Sequence, residues 1–236
     1  MNAKRLVFIC LCISFNVILL GQNSLDDIDL FRIPQKKIRE FIMRQKAENI
    51  KFFSDVKPTF HTGEDTSQFR FTEKKYIIKE NLSRVWNSYH TVSPAKSWSG
   101  HIISFGVIFS KSTNKVLYSD DLITGIDTGQ VMYVNLKLLM GIYNLAVALE
   151  ITKIDEQNKT IVFSYVNGGK SKGEQILHFI TTADGYTEII HETLFRSDSK
   201  FRDKVLYPFF HNKAINEFHR NMLHAIREQD KDGNAA

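Results

Sequence analysis

A series of apolar, β-branched segments followed by one long amphipathic segment occupies residues 130–228 and limits the folds open to this chain. The segments fall at Val131–Leu139, Tyr143–Ile154, Thr160–Val166, Glu174–Thr182 and Tyr186–Phe195. Between them lie Gly, Asn and Asp, which accept the backbone angles that reverse a strand. This spacing predicts consecutive antiparallel strands joined by hairpins.

The chain beyond Tyr207-Pro208 changes its apolar period from two residues to about three and a half, the period of an α-helix. One face collects apolar side chains, at Ile215, Phe218, Met222, Ala225 and Ile226. A helix with one apolar face must pack on another apolar surface, and the preceding strands offer it. The sequence therefore predicts an α+β fold in which the last helix packs on an antiparallel sheet.

The first 21 residues have the pattern of a secretory signal peptide. Lys4 and Arg5 precede an almost wholly apolar run, Leu6–Leu20, and small and polar residues follow it. The run is short for a membrane span, so we expect cleavage after Gly21 and a secreted or periplasmic protein. An uncleaved N-terminal membrane anchor stays an alternative. Leu19 occupies the −3 position relative to the expected cleavage site, where a smaller residue is usually preferred.

Composition and spacing argue against several classes of protein. The formal net charge of +5 is small and evenly distributed, which argues against a nucleic-acid-binding protein. Cys10 and Cys12 lie within the leader, so a cleaved chain has no disulfide and no cysteine metal ligand. The histidines of the last helix lack the spacing that places two metal ligands on one helix face. We therefore expect no metal and no cofactor.

An extension is expected between the leader and the main domain. Pro34 suits the first turn of a helix, and Ile38, Phe41 and Ile42 recur at helical spacing. The expected units are a signal peptide (1–21), an N-terminal extension with this short amphipathic helix (22–68), a main domain (69–229) and a disordered tail (230–236). Within the extension, residues 25–68 are a candidate binding segment for an envelope protein.

The start of the main domain resembles a known family. Phe69–Glu80 is typical of a strand, and Asn81 can cap a helix that contains the pair Val85-Trp86. Trp98 follows before the next strand. This order resembles the START-like superfamily, also called SRPBCC or helix-grip, which includes lipid-transfer domains, plant pollen-allergen-type proteins and polyketide cyclases. The resemblance extends from about Phe69 to Glu228.

The resemblance implies a curved antiparallel sheet wrapped around the C-terminal helix, with a cavity for an apolar ligand between them. Small-molecule sites typically enclose roughly 300–1,000 Å³. We therefore expect an exported, non-catalytic binding protein that holds a lipid-like or other hydrophobic small molecule.

Seven residues are candidates for contact with such a ligand, because they lie on predicted strands or on the apolar face of the last helix. They are Tyr133, Glu150, Tyr165, His178, His191, Phe218 and Met222. Their polar groups are able to orient the polar end of a ligand if they face inward. No catalytic residue is assigned, since the chain has no nucleophile motif and no glycine-rich nucleotide loop.

Two other functions stay open. A cyclase- or hydratase-like enzyme would use an acid–base pair inside the pocket, drawn from His178, His191 and Glu150. A packed envelope scaffold would instead bind another protein through residues 25–68. The position of these side chains and the presence of a cavity separate the three functions, whereas the oligomeric state has no signature in the sequence.

Overall fold

Eight antiparallel strands form one sheet in the computed structural model, which describes residues 23–138, 141–197 and 207–233. The strands are β1 (Arg70–Ile78), β2 (Ile103–Ser110), β3 (Val116–Tyr118), β4 (Gln130–Leu138), β5 (Tyr143–Asp155), β6 (Thr160–Tyr165), β7 (Ser171–Thr181) and β8 (Thr187–Ser197). Their order across the sheet is β1-β8-β7-β6-β5-β4-β2-β3. The predicted series of hairpins is confirmed, because β4 to β8 are neighbours in chain order.

The α-helices of the described residues are α1 (Lys36–Ala47), α2 (Leu82–Thr91), α3 (Pro94–Ser97) and α4 (Tyr207–Gly233). The Asn81 side chain accepts a hydrogen bond from the Arg84 amide. It thereby satisfies an N–H group that the first turn of α2 leaves open, so the helix begins where the sequence predicts. α4 reaches Gly233, inside the segment 230–236 that we assigned to a disordered tail.

Two irregularities bend the sheet. The register shifts between Phe105 and Val107 in β2 and between Ile151 and Lys153 in β5. An extra residue in one strand of a pair increases the local twist and curves the sheet. The curved sheet therefore has an inner face, which receives α4, and an outer face on its other side.

The inner face and the helices α2 and α4 enclose the main hydrophobic core. α4 contributes Ala214, Phe218, Met222, Ala225 and Ile226, which are all buried. The ring of Phe218 stacks on Trp98, with centroids 4.5 Å apart. The predicted packing of the last helix on the sheet is thus confirmed.

Residues 23–56 cover the outer face of the sheet. Their buried apolar side chains form a second core with β2, β4 and β5; they are Leu25, Ile28, Ile33, Ile38, Phe41, Ile42, Ile50, Phe53 and Val56. Phe53 stacks on Phe109 of β2 at a centroid distance of 4.0 Å. The predicted amphipathic helix is confirmed as α1. A protein partner for residues 25–68 stays a prediction. The Phe31 side chain is 99% exposed and would be accessible to such a partner.

The expected signal peptide, Met1–Gly21, lies outside the described residues. Within the part of the chain that is described, no helix combines the length and the apolar character needed to cross a bilayer.

Candidate functional site

A cavity of about 390 Å³ lies between the first turns of α4 and the inner face of strands β4 to β7. Its lining is almost wholly apolar and consists of Trp98, Val134, Leu136, Leu138, Tyr143, Leu145, Val147, Leu149, Tyr165, Ser171, Gln175, Phe210, His211, Ala214 and Ile215. No Asp, Glu, Lys or Arg is among these lining residues. The cavity therefore suits an uncharged, mainly apolar ligand.

Strand alternation explains the apolar lining. Successive side chains of a strand point to opposite faces, so Val134, Leu136 and Leu138 of β4 face the cavity together. Val131 and Tyr133 of the same strand point the other way and belong to the second core, on the outer face of the sheet.

The size of a single α4 residue leaves room for the cavity. Ala214 lines it with a methyl group, whereas one turn further along the helix Phe218 fills the corresponding space against Trp98. The cavity therefore lies at the N-terminal end of α4, and the core is packed beyond it. At the other end Tyr143 is 53% exposed, so that side of the cavity lies near the surface.

A chain of buried polar side chains ends at the cavity. The Tyr89 hydroxyl lies 2.7 Å from His219 Nδ1, and His219 Nε2 lies 2.9 Å from His191 Nδ1. His191 Nε2 lies 3.0 Å from Oε1 of Gln175. His211 Nε2 lies 3.3 Å from the same oxygen. Gln175 and His211 are the two members that line the cavity.

The position of Gln175 fixes the direction of these hydrogen bonds. Its amide nitrogen donates to the Tyr165 hydroxyl at 3.4 Å, so its oxygen is the acceptor for His191 and His211. A neutral imidazole has one donor and one acceptor nitrogen. His191 therefore accepts from His219 Nε2–H, and His219 accepts from the Tyr89 hydroxyl.

Burial keeps the members of the chain uncharged. It lowers the pKa of His211 to about 3 and the pKa of His219 to about 3, both from 6.5. Burial also holds the pKa of His191 well below its ordinary value, and the neighbouring His219, His211 and Lys74 add to this effect. Because a charged form is disfavoured throughout, the group supplies hydrogen bonds to the cavity without supplying a charge.

The described residues contain no group of three or more His, Cys, Asp or Glu side chains arranged to hold a metal ion. Two of the clustered histidines, His191 and His219, instead use both ring nitrogens in hydrogen bonds to protein groups.

Comparison with solved structures identifies the fold. A point mutant of norcoclaurine synthase from Thalictrum flavum, in complex with a transition-state analogue, superposes with a TM-score of 0.50 at 10% identity, over 69% of this chain and 96% of that one. The chain has the START-like helix-grip fold. Major latex-like protein 151 from Panax ginseng gives a TM-score of 0.48 at 13% identity, over 67% of this chain and 97% of that one. No protein-family model matches the sequence, and no curated protein matches it.

The resemblance read from the sequence is thus confirmed at the level of the helix-grip fold. A shared fold does not by itself carry an activity, because unrelated functions occur on one scaffold. The function has to be inferred from the cavity itself.

Four of the seven candidate ligand residues lie on the inner side of the helix-grip sheet. Tyr165 lines the cavity. His191 does not line the cavity; it is buried and bonds to Gln175, which does. Phe218 and Met222 belong to the packed core beyond the cavity. A role for these residues in ligand binding stays a prediction.

The other three candidates are on the outer side of the sheet, so the inward position on which their role depends is not met. Tyr133 donates its hydroxyl hydrogen to Gln45 of α1 at 2.8 Å. Glu150 pairs with Lys111 at 2.6 Å. His178 lies 3.5 Å from Glu192, on the face opposite to Gln175. In each case the side chain alternates with inward-facing neighbours of its strand and points outward. The His/Glu acid–base pair of the alternative enzyme function therefore does not form at the cavity.

Tyr165 is the one candidate among the described lining residues, and Gln175, His211 and Ala214 are three that sequence reasoning missed. Strand parity offered a signal for Gln175, since the buried Leu177 and Phe179 are two and four residues further along β7. His211 precedes Ile215 by four residues, which places it on the same side of α4. No sequence pattern indicates that Ala214 borders a cavity instead of a packed core.

Proposed function

We propose that the protein is a non-catalytic binding protein that holds a lipid-like or other hydrophobic small molecule between α4 and the curved sheet. The observation that carries this proposal is the apolar cavity of about 390 Å³. Its volume falls within the range of roughly 300–1,000 Å³ that ligand sites occupy. An apolar ligand would be driven into such a space by the removal of its surface from water.

The chemistry of the cavity supports binding over catalysis. Among the described residues, those that line it include no carboxylate and no lysine, and the one histidine of this set, His211, is held neutral by burial, which lowers its pKa to about 3. Efficient general acid–base catalysis needs a group whose pKa lies near the working pH. His211 is far from that condition.

We also infer that the protein acts after export, in a secreted or periplasmic form. The basic start, the apolar run and the small residues of Met1–Gly21 support this inference. The intact mass of the protein purified from its own host tests it. Loss of about the first 21 residues is expected; a full-length chain in the membrane fraction would indicate an anchor instead.

A cavity-filling variant tests ligand binding. Ala214→Phe places a ring in the cavity, so it should reduce the affinity for a fluorescent apolar probe such as phenylnaphthylamine by about tenfold or more. Ala183→Phe makes the same chemical change in the exposed β7–β8 turn and serves as the matched control, with unchanged affinity expected. Titration followed by fluorescence measures both.

Native mass spectrometry of the protein from its own host provides an independent test. A bound small molecule that is retained by Ala183→Phe and absent from Ala214→Phe supports the proposal. Equal probe binding by the two variants, together with a ligand-free native protein, would overturn it.

A further inference from the structure

Within the described part of the chain, the Gln175 amide offers an unused hydrogen-bond donor at the inner end of the cavity. The amide nitrogen of Gln175 carries two hydrogens, and one of them is donated to the Tyr165 hydroxyl over a long 3.4 Å. The second has no acceptor among the described residues. Gln175 is only 4% exposed and lines the cavity. A buried N–H group without a partner is costly, so a ligand acceptor placed there would gain a hydrogen bond.

The rest of the chain holds the Gln175 amide in this orientation. His191 and His211 both donate to its oxygen, at 3.0 and 3.3 Å. If the amide were flipped, its nitrogen would face two donors. The bonds from Tyr89 and His219 behind His191 fix the tautomer that makes His191 a donor. The donor in the cavity is therefore oriented before a ligand arrives, which lowers the entropic cost of binding.

The same end of the cavity is unsuited to an anion. Burial in an apolar surrounding holds the pKa of His211 at about 3, and none of the described residues that line the cavity carries a positive charge. A carboxylate there would lose its hydration without gaining a counter-charge. Lys213 of α4 and Lys137 of β4 line a separate depression beside Phe210.

We propose that the cavity recognises an apolar ligand with one neutral oxygen acceptor, a hydroxyl or a carbonyl, which accepts a hydrogen bond from Gln175 at the inner end. This inference rests on the proposed binding function and names the chemical class of its ligand. The apolar part of the molecule fills the space along Val134, Val147 and Ala214.

Three probes of equal chain length test the ligand class on the wild-type protein. Decane, decanol and decanoate are compared by displacement of phenylnaphthylamine near neutral pH. Decanol should bind about tenfold or more tightly than decanoate, because decanol is neutral and decanoate is an anion near neutral pH. Decanoate binding as tightly as decanol would overturn the inference and leave the binding function standing. No binding of any probe would overturn both.

A substitution at Gln175 tests the role of the amide. Gln175→Leu should lower the affinity for decanol about five- to tenfold and leave the affinity for decane unchanged, since only the alcohol loses a hydrogen bond. Gln157→Leu, in the exposed β5–β6 turn, is the matched control and should leave both unchanged. Equal loss of decane and decanol binding would assign Gln175 a structural role and overturn the inference. If Gln175→Leu does not fold, the wild-type ranking of decanol against decanoate decides alone.

Discussion

His191 and His219 illustrate how a polar group is accommodated in an apolar core. Both are buried, and each ring nitrogen of the pair has a hydrogen-bond partner. The ring of Tyr76 also stacks on His219 at a centroid distance of 3.9 Å. Burial without hydrogen bonds would cost several kcal/mol, whereas a satisfied neutral network costs little. The free-energy cost of burial becomes large only when one of these histidines is protonated.

Acid should therefore destabilise the protein well above the pH at which carboxylates titrate. The unfolded chain protonates a histidine below about pH 6.5, but burial lowers the pKa of His211 and His219 to about 3 in the folded state. The unfolded state then binds more protons between these values, so the free energy of unfolding falls as the pH drops from 6.5 towards 3. At pH 5 the loss should be about 2 kcal/mol for each of the two residues.

Urea denaturation at neutral pH and at about pH 5 measures this loss. His211→Gln removes one of the two groups and should reduce the difference between the two conditions by about 2 kcal/mol. His61→Gln changes an exposed histidine and should leave the difference as it is. An unchanged difference in His211→Gln would contradict the assigned neutral state.

Within β7, the position of a residue in the strand alternation indicates the face of the sheet that it occupies, whereas its chemical type does not. His178 alternates with the inward residues of β7 and lies on the outer face beside Glu192. Gln175 has the inward alternation and lines the cavity. Parity becomes a firm guide only once the pairing of both neighbouring strands is known.

At the scale of elements, α4 is held to the start of β2 by one buried carboxylate. Glu217 is 1% exposed and accepts hydrogen bonds from the amides of His101, Ile102 and Ile103, at 2.8, 2.7 and 2.7 Å. Gly100 makes this approach possible, because a Cβ at that position would lie 2.5 Å from Glu217 Cδ. The carboxylate thus fixes the part of α4 that borders the cavity.

Removal of this carboxylate should loosen α4. Glu217→Ala leaves three backbone N–H groups without their acceptor and should lower the free energy of unfolding by about 3 kcal/mol or more. Glu228→Ala, further along the same helix, breaks an exposed pair with Lys96 and should cost at most about 1 kcal/mol. Chemical denaturation compares the two; equal losses would show that the buried carboxylate does not anchor the helix.

Most elements were predictable from the sequence, because periodicity and turn residues act locally. The bounds of β4, β5 and β6 agree with the predicted runs to within one residue at every end. A cavity between the sheet and α4 was implied by the resemblance, but its volume and position were not predictable, since they depend on how far α4 stands from the sheet at Ala214. That distance depends on the hydrogen bonds of Glu217, on the packing of Trp98 against α4 and on the two register shifts that bend β2 and β5.

At the scale of the molecule, the extension completes the domain by covering the outer face of the sheet. Phe53, which stacks on Phe109, and Tyr133, which bonds to Gln45, connect the two segments. Without residues 23–56, the outward side chains of β2, β4 and β5 would be exposed to water as one apolar surface. The extension is therefore a structural part of the main domain.

A pair of phenylalanine substitutions tests this role. Phe53→Ala empties a buried site and should lower the free energy of unfolding by about 3–5 kcal/mol. Phe31→Ala truncates a side chain that is 99% exposed and should change the free energy of unfolding by no more than about 0.5 kcal/mol. Thermal or urea unfolding gives both values. A small loss for Phe53→Ala would mean that the extension detaches in solution.

Strands β4 and β5 are shared by the two cores, so the wall of the cavity is supported from behind. Val134 faces the cavity while its neighbour Tyr133 is fixed beneath α1. A cavity whose wall is packed on its outer side should keep its shape without a ligand, so that a ligand enters a preformed space. By the same reasoning, substitutions in α1, on the opposite side of the sheet, should change which ligands the cavity accepts although α1 makes no contact with the ligand.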